Sequence, residues 1–267
     1  MDQEMYRKAF DDLSFSDDFQ ARTEALLRDR ARDMEKERNM TKFGATKKTV
    51  LLAAAMAALL AVSVSAAVLW LSPSQVAEHM EEPLLAAAFD SEDAVAINET
   101  AAVGDYTVTL AGLVSGEDLS AVPAEYNGEL ISDRTYAVFT LARTDGQPLE
   151  EQPEELAYSP LVGGYHVSAV NAWTLGATCQ SFVEDGTGYY LFDTRNLEMF
   201  ADRTVYFAVY EGGVPTANIF DMKEDGAIAL KEGIPGVLFT LPLDESRADP
   251  EDAEAFVKGT GLEVAQN

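Results

Sequence analysis

Basic residues are missing from a long stretch of this chain: none lies between Lys48 and Arg134. Cysteine and histidine are nearly missing altogether, with Cys179, His79 and His166 the complete set. A single cysteine excludes an internal disulfide. Two histidines exclude a His-rich metal centre, and neither a metal nor another cofactor is expected. A Ser-His-Asp triad would have to use His79 or His166. No Gly-x-Ser-x-Gly nucleophile elbow accompanies either of them. Paired carboxylates abound, but so acidic a chain shows such pairs by chance. The chain reads as a non-enzyme. Cys179 itself sits in the strand-like stretch 178–183 and reads as a buried small residue rather than a reactive thiol.

The formal charge of −27 is unevenly spread. Residues 1–48 carry 11 basic and 11 acidic side chains; of the chain's 19 basic and 46 acidic residues, 8 and 35 therefore lie beyond them. Direct nucleic-acid binding by the acidic part is excluded, because phosphates would be repelled. Its charge reads first as a solvated surface, and second as an electrostatic lure for a cationic extracellular ligand.

Between the two parts runs TVLLAAAMAALLAVSVSAAVLWL, Thr49 to Leu71, without a charge and directly after Lys47 and Lys48. As a helix it reaches ~35 Å, enough to cross a hydrocarbon core of ~30 Å. Arg28, Arg30, Arg32, Lys36, Arg38 and Lys42 add to the basic side, whereas Glu78, Glu81, Glu82, Asp90, Glu92 and Asp93 crowd the exit. Cationic flanks stay in the cytosol. The expectation is a single membrane span with the N-terminus inside and the C-terminal part outside, and Trp70 as an interfacial anchor. Val64-Ser65-Ala66 also fits the small-residue pattern of a signal-peptide cleavage site. Against simple secretion stands a preceding segment of nearly fifty residues with helical signals of its own. A third reading combines the two: an anchor cut within Ser63, Val64, Ser65, Ala66 and Ala67 on a signal.

Residues 1–48 read as two helices. Met5, Tyr6, Ala9, Phe10 and Leu13 recur at helical spacing. Ser14-Phe15-Ser16 breaks the pattern, and Ser16 followed by Asp17 and Asp18 starts a second helix. That helix carries Phe19, Thr23, Leu26, Leu27, Ala31 and Met34 on one side, with alternating charges opposite. So short a segment is marginal alone. Its apolar stripe wants a partner, whether another copy, the inner leaflet, or a cytosolic protein on which it folds.

Beyond the span, residues 72–92 read as a membrane-proximal helical linker, with helices over 74–80 and 83–89. Residues 93–245 read as an antiparallel, sandwich-like β domain. Asp105 to Val114 alternates, with Tyr106, Val108 and Leu110 on one face and Thr107 and Thr109 on the other. Residues 135–142, 179–183, 188–192, 204–210 and 237–241 are further strands, and Asp185-Gly186 is a hairpin turn. Asp133-Arg134-Thr135 and Asp202-Arg203-Thr204 hint at a repeat. In 246–267, Asp249, Pro250 and Gly259 frame a C-terminal helix and its tail. The segment Val162 to Leu175 reads as core and turn, or as a ligand-facing loop offering Tyr165, His166 and Trp173, with His166 in a strand.

Tyr6-x-x-x-Phe10, Phe15-Ser16-x-x-Phe19, the Lys-Lys-flanked span and a β-rich outer part resemble a family of membrane-anchored anti-sigma factors of Gram-positive bacteria. Ala96-Ile97-Asn98-Glu99-Thr100 and Asp105-Tyr106-Thr107-Val108-Thr109-Leu110 are similar to that family's membrane-proximal domain of unknown function. The resemblance spans roughly residues 1–115. It implies that Tyr6, Phe10, Leu13, Phe15, Phe19, Leu26 and Leu27 bind a cytosolic sigma factor. It also implies that envelope and intramembrane proteases release that partner stepwise. The zinc-binding His/Cys motif of the best-known anti-sigma domain is absent from residues 1–48, so only a metal-free mode applies. A second class of reading is a cell-envelope binding or adhesion module, anchored or secreted, whose cytosolic tail is incidental.

Overall fold

The computed structural model describes residues 70–122, 124–126 and 128–262. The two helices expected in residues 1–48, the apolar run up to residue 69, and Ser63, Val64, Ser65, Ala66 and Ala67 lie outside the described residues. Among the described residues no helix is long and apolar enough to cross a membrane.

The described residues are mostly antiparallel β structure with few helices. Two helices come first, α1 (Pro73–His79) and α2 (Pro83–Phe89). Ser72 starts α1 with a capping box: its hydroxyl accepts from the Gln75 N–H, and the Gln75 side chain accepts from the Ser72 N–H. Proline opens both helices, where its missing N–H costs nothing. Twelve strands follow. The long ones are β1 (Val95–Val103), β2 (Tyr106–Glu117), β5 (Asp133–Arg143), β6 (Leu156–Val162), β7 (Thr178–Glu184), β8 (Thr187–Arg195), β9 (Val205–Glu211) and β12 (Gly236–Thr240). The short ones form two hairpins, β3 (Glu125–Tyr126) with β4 (Glu129–Leu130), and β10 (Phe220–Met222) with β11 (Ile228–Leu230). Helix α3 (Pro250–Gly259) comes last.

One sheet has the order β1-β2-β5-β8-β7 and the other β12-β9-β6. Their facing sides share one core. Val108, Leu110, Phe139, Leu141 and Phe192 come from the first sheet, and Val205, Phe207, Val209 and Phe239 from the second. Rings interlock across the gap, Phe207 lying 5.4 Å from Phe139 and 5.2 Å from Phe192. This is the expected sandwich. The outer face of the smaller sheet, with Leu161, Ala208 and Tyr210, is covered by Phe220 and Ile228 of the β10–β11 hairpin.

The outer face of the larger sheet is covered by α1 and α2, where Val76, Ala77, Leu85 and Ala86 pack on Val114, Tyr136, Val138, Tyr189 and Leu191. Residues 72–92, read as a linker, are part of this packed layer. Their turn is tight: Glu81 has φ +62° and the Glu82 N–H donates to the Ala77 carbonyl at 3.0 Å.

Two local expectations change, the alternation of β2 and the burial of Cys179. The alternation of β2 does not persist to Val114, because the register with β5 shifts between Leu110 and Gly112. That bulge sends Val108, Leu110 and Leu113 into the sandwich and Val114 under the helices. Thr109 lies, as read, on the face opposite Val108 and Leu110, and is 3% exposed there with its hydroxyl 2.8 Å from that of Thr100. Helix α3 ends at Gly259, as read, with Thr260 as its cap and Gly261, at φ +67°, after it. Cys179 is exposed, because β7 is an edge strand. In the register it stands opposite Phe192 of β8. The Asp185-Gly186 turn is as read, with φ of +49° and +76°, the two positive values a type I′ hairpin needs.

Candidate functional site

The proposed partner-binding residues Tyr6, Phe10, Leu13, Phe15, Phe19, Leu26 and Leu27 lie outside the described residues. The loop residues Tyr165, His166 and Trp173 are described. His166 is not in a strand: β6 ends at Val162, and Gly163-Gly164 turn the chain. Gly164 has φ +83°, and its N–H donates to the Gly226 carbonyl at 2.9 Å. Past that turn His166 closes a local one, its Nδ1 accepting from the Ser168 N–H at 3.2 Å.

Buried polar groups then hold the segment 167–177 in one shape. Asn171, 2% exposed, donates to the Val167 carbonyl at 2.8 Å and accepts from the N–H groups of Trp173 and Thr174. Ser159 of β6, fully buried, accepts from the Ala172 N–H at 2.9 Å. Trp173 projects from this frame, 74% exposed. Tyr165 goes elsewhere. The Arg203 guanidinium lies 4.4 Å from its ring centroid, and Phe200 meets it edge-on at 5.9 Å. The loop is therefore tied down by buried hydrogen bonds and presents one large apolar side chain. Nothing else in the sequence pattern of 162–175 separated Trp173 from the buried Val167, Ala169, Val170 and Leu175.

A second built region lies on the outer face of the larger sheet, where the excursion between β2 and β5 meets α2. Glu82 is 2% exposed and spends both carboxylate oxygens there. One accepts from the Ser120 hydroxyl at 2.9 Å and the other from the Ala121 N–H at 3.0 Å. The α1–α2 turn is thereby tied to the excursion. Deeper in, Arg134 of β5 is 2% exposed and pairs with Asp193 of β8. Its Nε donates to Oδ2 at 2.6 Å, and Nη2 donates to the same carboxylate and to the Gly176 carbonyl at 3.3 Å. Thr178 donates to the other carboxylate oxygen. Tyr136 beside this pair is pushed up to about 12, first by burial and then by the Asp193 charge, with Arg134 opposing. The two Asp-Arg-Thr triplets are thus unlike: Arg134 is buried in an ion pair, whereas Arg203 is exposed over Tyr165.

Comparisons with protein-family models, with curated proteins and with solved structures return no match. The reading of the site therefore rests on its own geometry.

Two concave regions lie elsewhere on the described surface. One, of about 360 Å³, is lined by Trp70, Leu71, Pro73, Phe89, Val95 and Ala111 among others. The other, of about 500 Å³, is lined by Glu150, Glu151, Glu154 and Glu155 with Tyr106 and Arg143. Its one cation is occupied: Arg143 donates to Asp145 at 3.0 and 2.6 Å, which holds that carboxyl down at about 2. Neither region is lined by Tyr165, His166 or Trp173. Among the described residues no group of three or more His, Cys, Asp or Glu side chains is placed to hold a metal.

Proposed function

We propose that the chain is a single-pass membrane regulator of the anti-sigma kind. Its cytosolic helices sequester a sigma factor, its β sandwich lies outside, and proteolysis within Ser63 to Ala67 releases the partner. The observation that carries this reading is the charge boundary. Eleven basic residues precede an uncharged run of 23 residues, and the next basic residue is Arg134. The helical spacing of Tyr6, Phe10, Phe19 and Leu26 supports a docking role, since an incidental tail has no reason to keep it; Leu13, Phe15 and Leu27 complete the proposed binding set.

The packing of residues 72–92 adds a physical consequence. Among the described residues the chain is capped at Ser72 and folded from there on. A protease that needs extended backbone on this side gains it by detaching α1 and α2, and the Glu82 hydrogen bonds oppose that detachment.

The test is affinity capture of the full chain, solubilised in mild detergent, from cell extract. The expected result is co-capture of a sigma factor, lost when Phe10→Asp and Phe19→Asp are combined. Capture of no sigma factor, or capture unchanged in the double variant, removes the reading.

A further inference from the structure

A sheet ends in a row of unpaired backbone groups, and proteins blunt such rows with bulges, prolines or cover. Three of the four edges of the two main sheets are blunted. β1 carries a bulge between Ala96 and Glu99, with Asn98 at φ +55°. β6 carries Pro160, and β12 lies against β1. The fourth edge, β7, has neither proline nor lysine, and its register with β8 runs unbroken from Thr178 to Glu184.

The hairpin turn fixes which groups of β7 are free. A two-residue turn closes on a hydrogen-bonded pair, Glu184 with Thr187, and in an antiparallel ladder such pairs alternate. Phe182, Gln180 and Thr178 therefore bond to β8, whereas Cys179, Ser181 and Val183 aim their N–H and C=O groups away from it. Among the described residues none of these outward groups has a backbone partner.

Apolar side chains stand beside this edge. Trp173 is 74% exposed, and the N–H of Ala177, immediately before β7, donates to the Ala172 carbonyl at 2.8 Å. That bond holds the Trp173 backbone within one turn of the strand's start. Val122, 58% exposed, lines a cleft of about 50 Å³ together with Thr178 and Gln180. Glu184 and Asp185 are exposed at the far end, and Glu151 precedes Gln152, whose side chain donates to the Ser181 hydroxyl. A second copy would bring the same carboxylates, and a further charge of −27, to the contact. A basic segment would be drawn to it.

We propose that β7 accepts an added strand from a basic partner protein. The partner's extended segment pairs its backbone with Cys179, Ser181 and Val183 and sets apolar side chains against Trp173 and Val122. The site stands independently of the sigma-factor reading, since it requires neither the membrane span nor the cytosolic helices.

Fluorescence anisotropy of labelled peptides, titrated with the full chain in non-ionic detergent, tests it. The probe is a blocked hexapeptide alternating lysine and valine. One control replaces lysine by glutamate; the other is the probe N-methylated at every residue, which keeps the charge and loses the backbone donors. The probe is expected to bind saturably and at least tenfold more tightly than either control. Ser181→Pro removes an outward N–H and leaves the bonds to β8, as an edge allows, and should weaken binding about tenfold. Trp173→Ala, at an exposed position outside the strands, should weaken it about fivefold and stands if Ser181→Pro fails to fold. Equal binding of the N-methylated peptide, or binding unchanged in either folded variant, would reduce the attraction to bulk charge and overturn the proposal. So would no saturable binding of the probe. A chain that sediments as a dimer, and as a monomer in Ser181→Pro, would give the edge to a second copy and overturn it as well.

Discussion

Asp193→Ala should lower the unfolding free energy by about 3 kcal/mol, the low end of what breaking a buried ion pair costs. The low end applies because Asp193 keeps 15% of its side chain exposed, against 2% for Arg134. The change strands a guanidinium whose remaining partner is the Gly176 carbonyl at 3.3 Å. A fall of roughly 10 °C in the thermal midpoint is the corresponding observable. The pair's own net contribution is a different quantity. Replacing both members, Arg134→Met with Asp193→Leu, removes the charge and its unmet partner together, and should leave stability within about 1 kcal/mol of the parent or above it. Equal losses in the single and double variants would show that shape, not charge, dominates here. The pair would then be no more than packing.

Phe207→Ala is the second large effect, with an expected loss of about 4 kcal/mol. Phe207 is 1% exposed on β9 and reaches Phe139 and Phe192 on the opposing sheet. Its removal leaves a cavity between two hydrogen-bonded layers that cannot close over it without disturbing their ladders. Denaturant unfolding of the full chain measures the loss. A loss below about 1 kcal/mol would mean that the sheets collapse into the space and that the core is far softer than its ring contacts imply.

Much of this architecture was legible in the amino-acid order, for local reasons. β5, β8 and β9 are dense in aromatic and β-branched residues, and the Asp185-Gly186 turn needs only two adjacent residues with positive φ. Helices α1, α2 and α3 each begin at a proline. What stayed hidden depends on residues far apart in sequence. β6 contains Pro160, which argues against a strand until β6 proves to be the edge of its sheet, where a missing N–H is harmless. β1 has a mixed polar pattern because much of it is exposed. The bulge near Ala111 inverts which residues of β2 face the core, and no residue type announces it.

The site was less legible than the fold. Arg134 and Asp193 are 59 positions apart, and only the pairing of β5 with β8 makes one the counter-ion of the other. Glu82 looked like one of many acidic residues beside the apolar run, yet it is buried and holds Ser120 and Ala121. Of the loop residues named from sequence, Trp173 is the one that faces solvent freely, while Tyr165 is engaged by Phe200 and Arg203.

The central claim is that the uncharged run separates an inner segment from an outer β sandwich, and cysteine mapping of the two sides tests it most directly. In a Cys179→Ser background, one cysteine is placed at the exposed Trp173 and, in a second variant, one at Asn39 before the run. Intact cells are then treated with a membrane-impermeant maleimide. Labelling of Trp173→Cys in intact cells, with Asn39→Cys labelled only after permeabilisation, is the predicted result. Labelling of Asn39→Cys in intact cells, or protection of both positions until permeabilisation, would contradict the account.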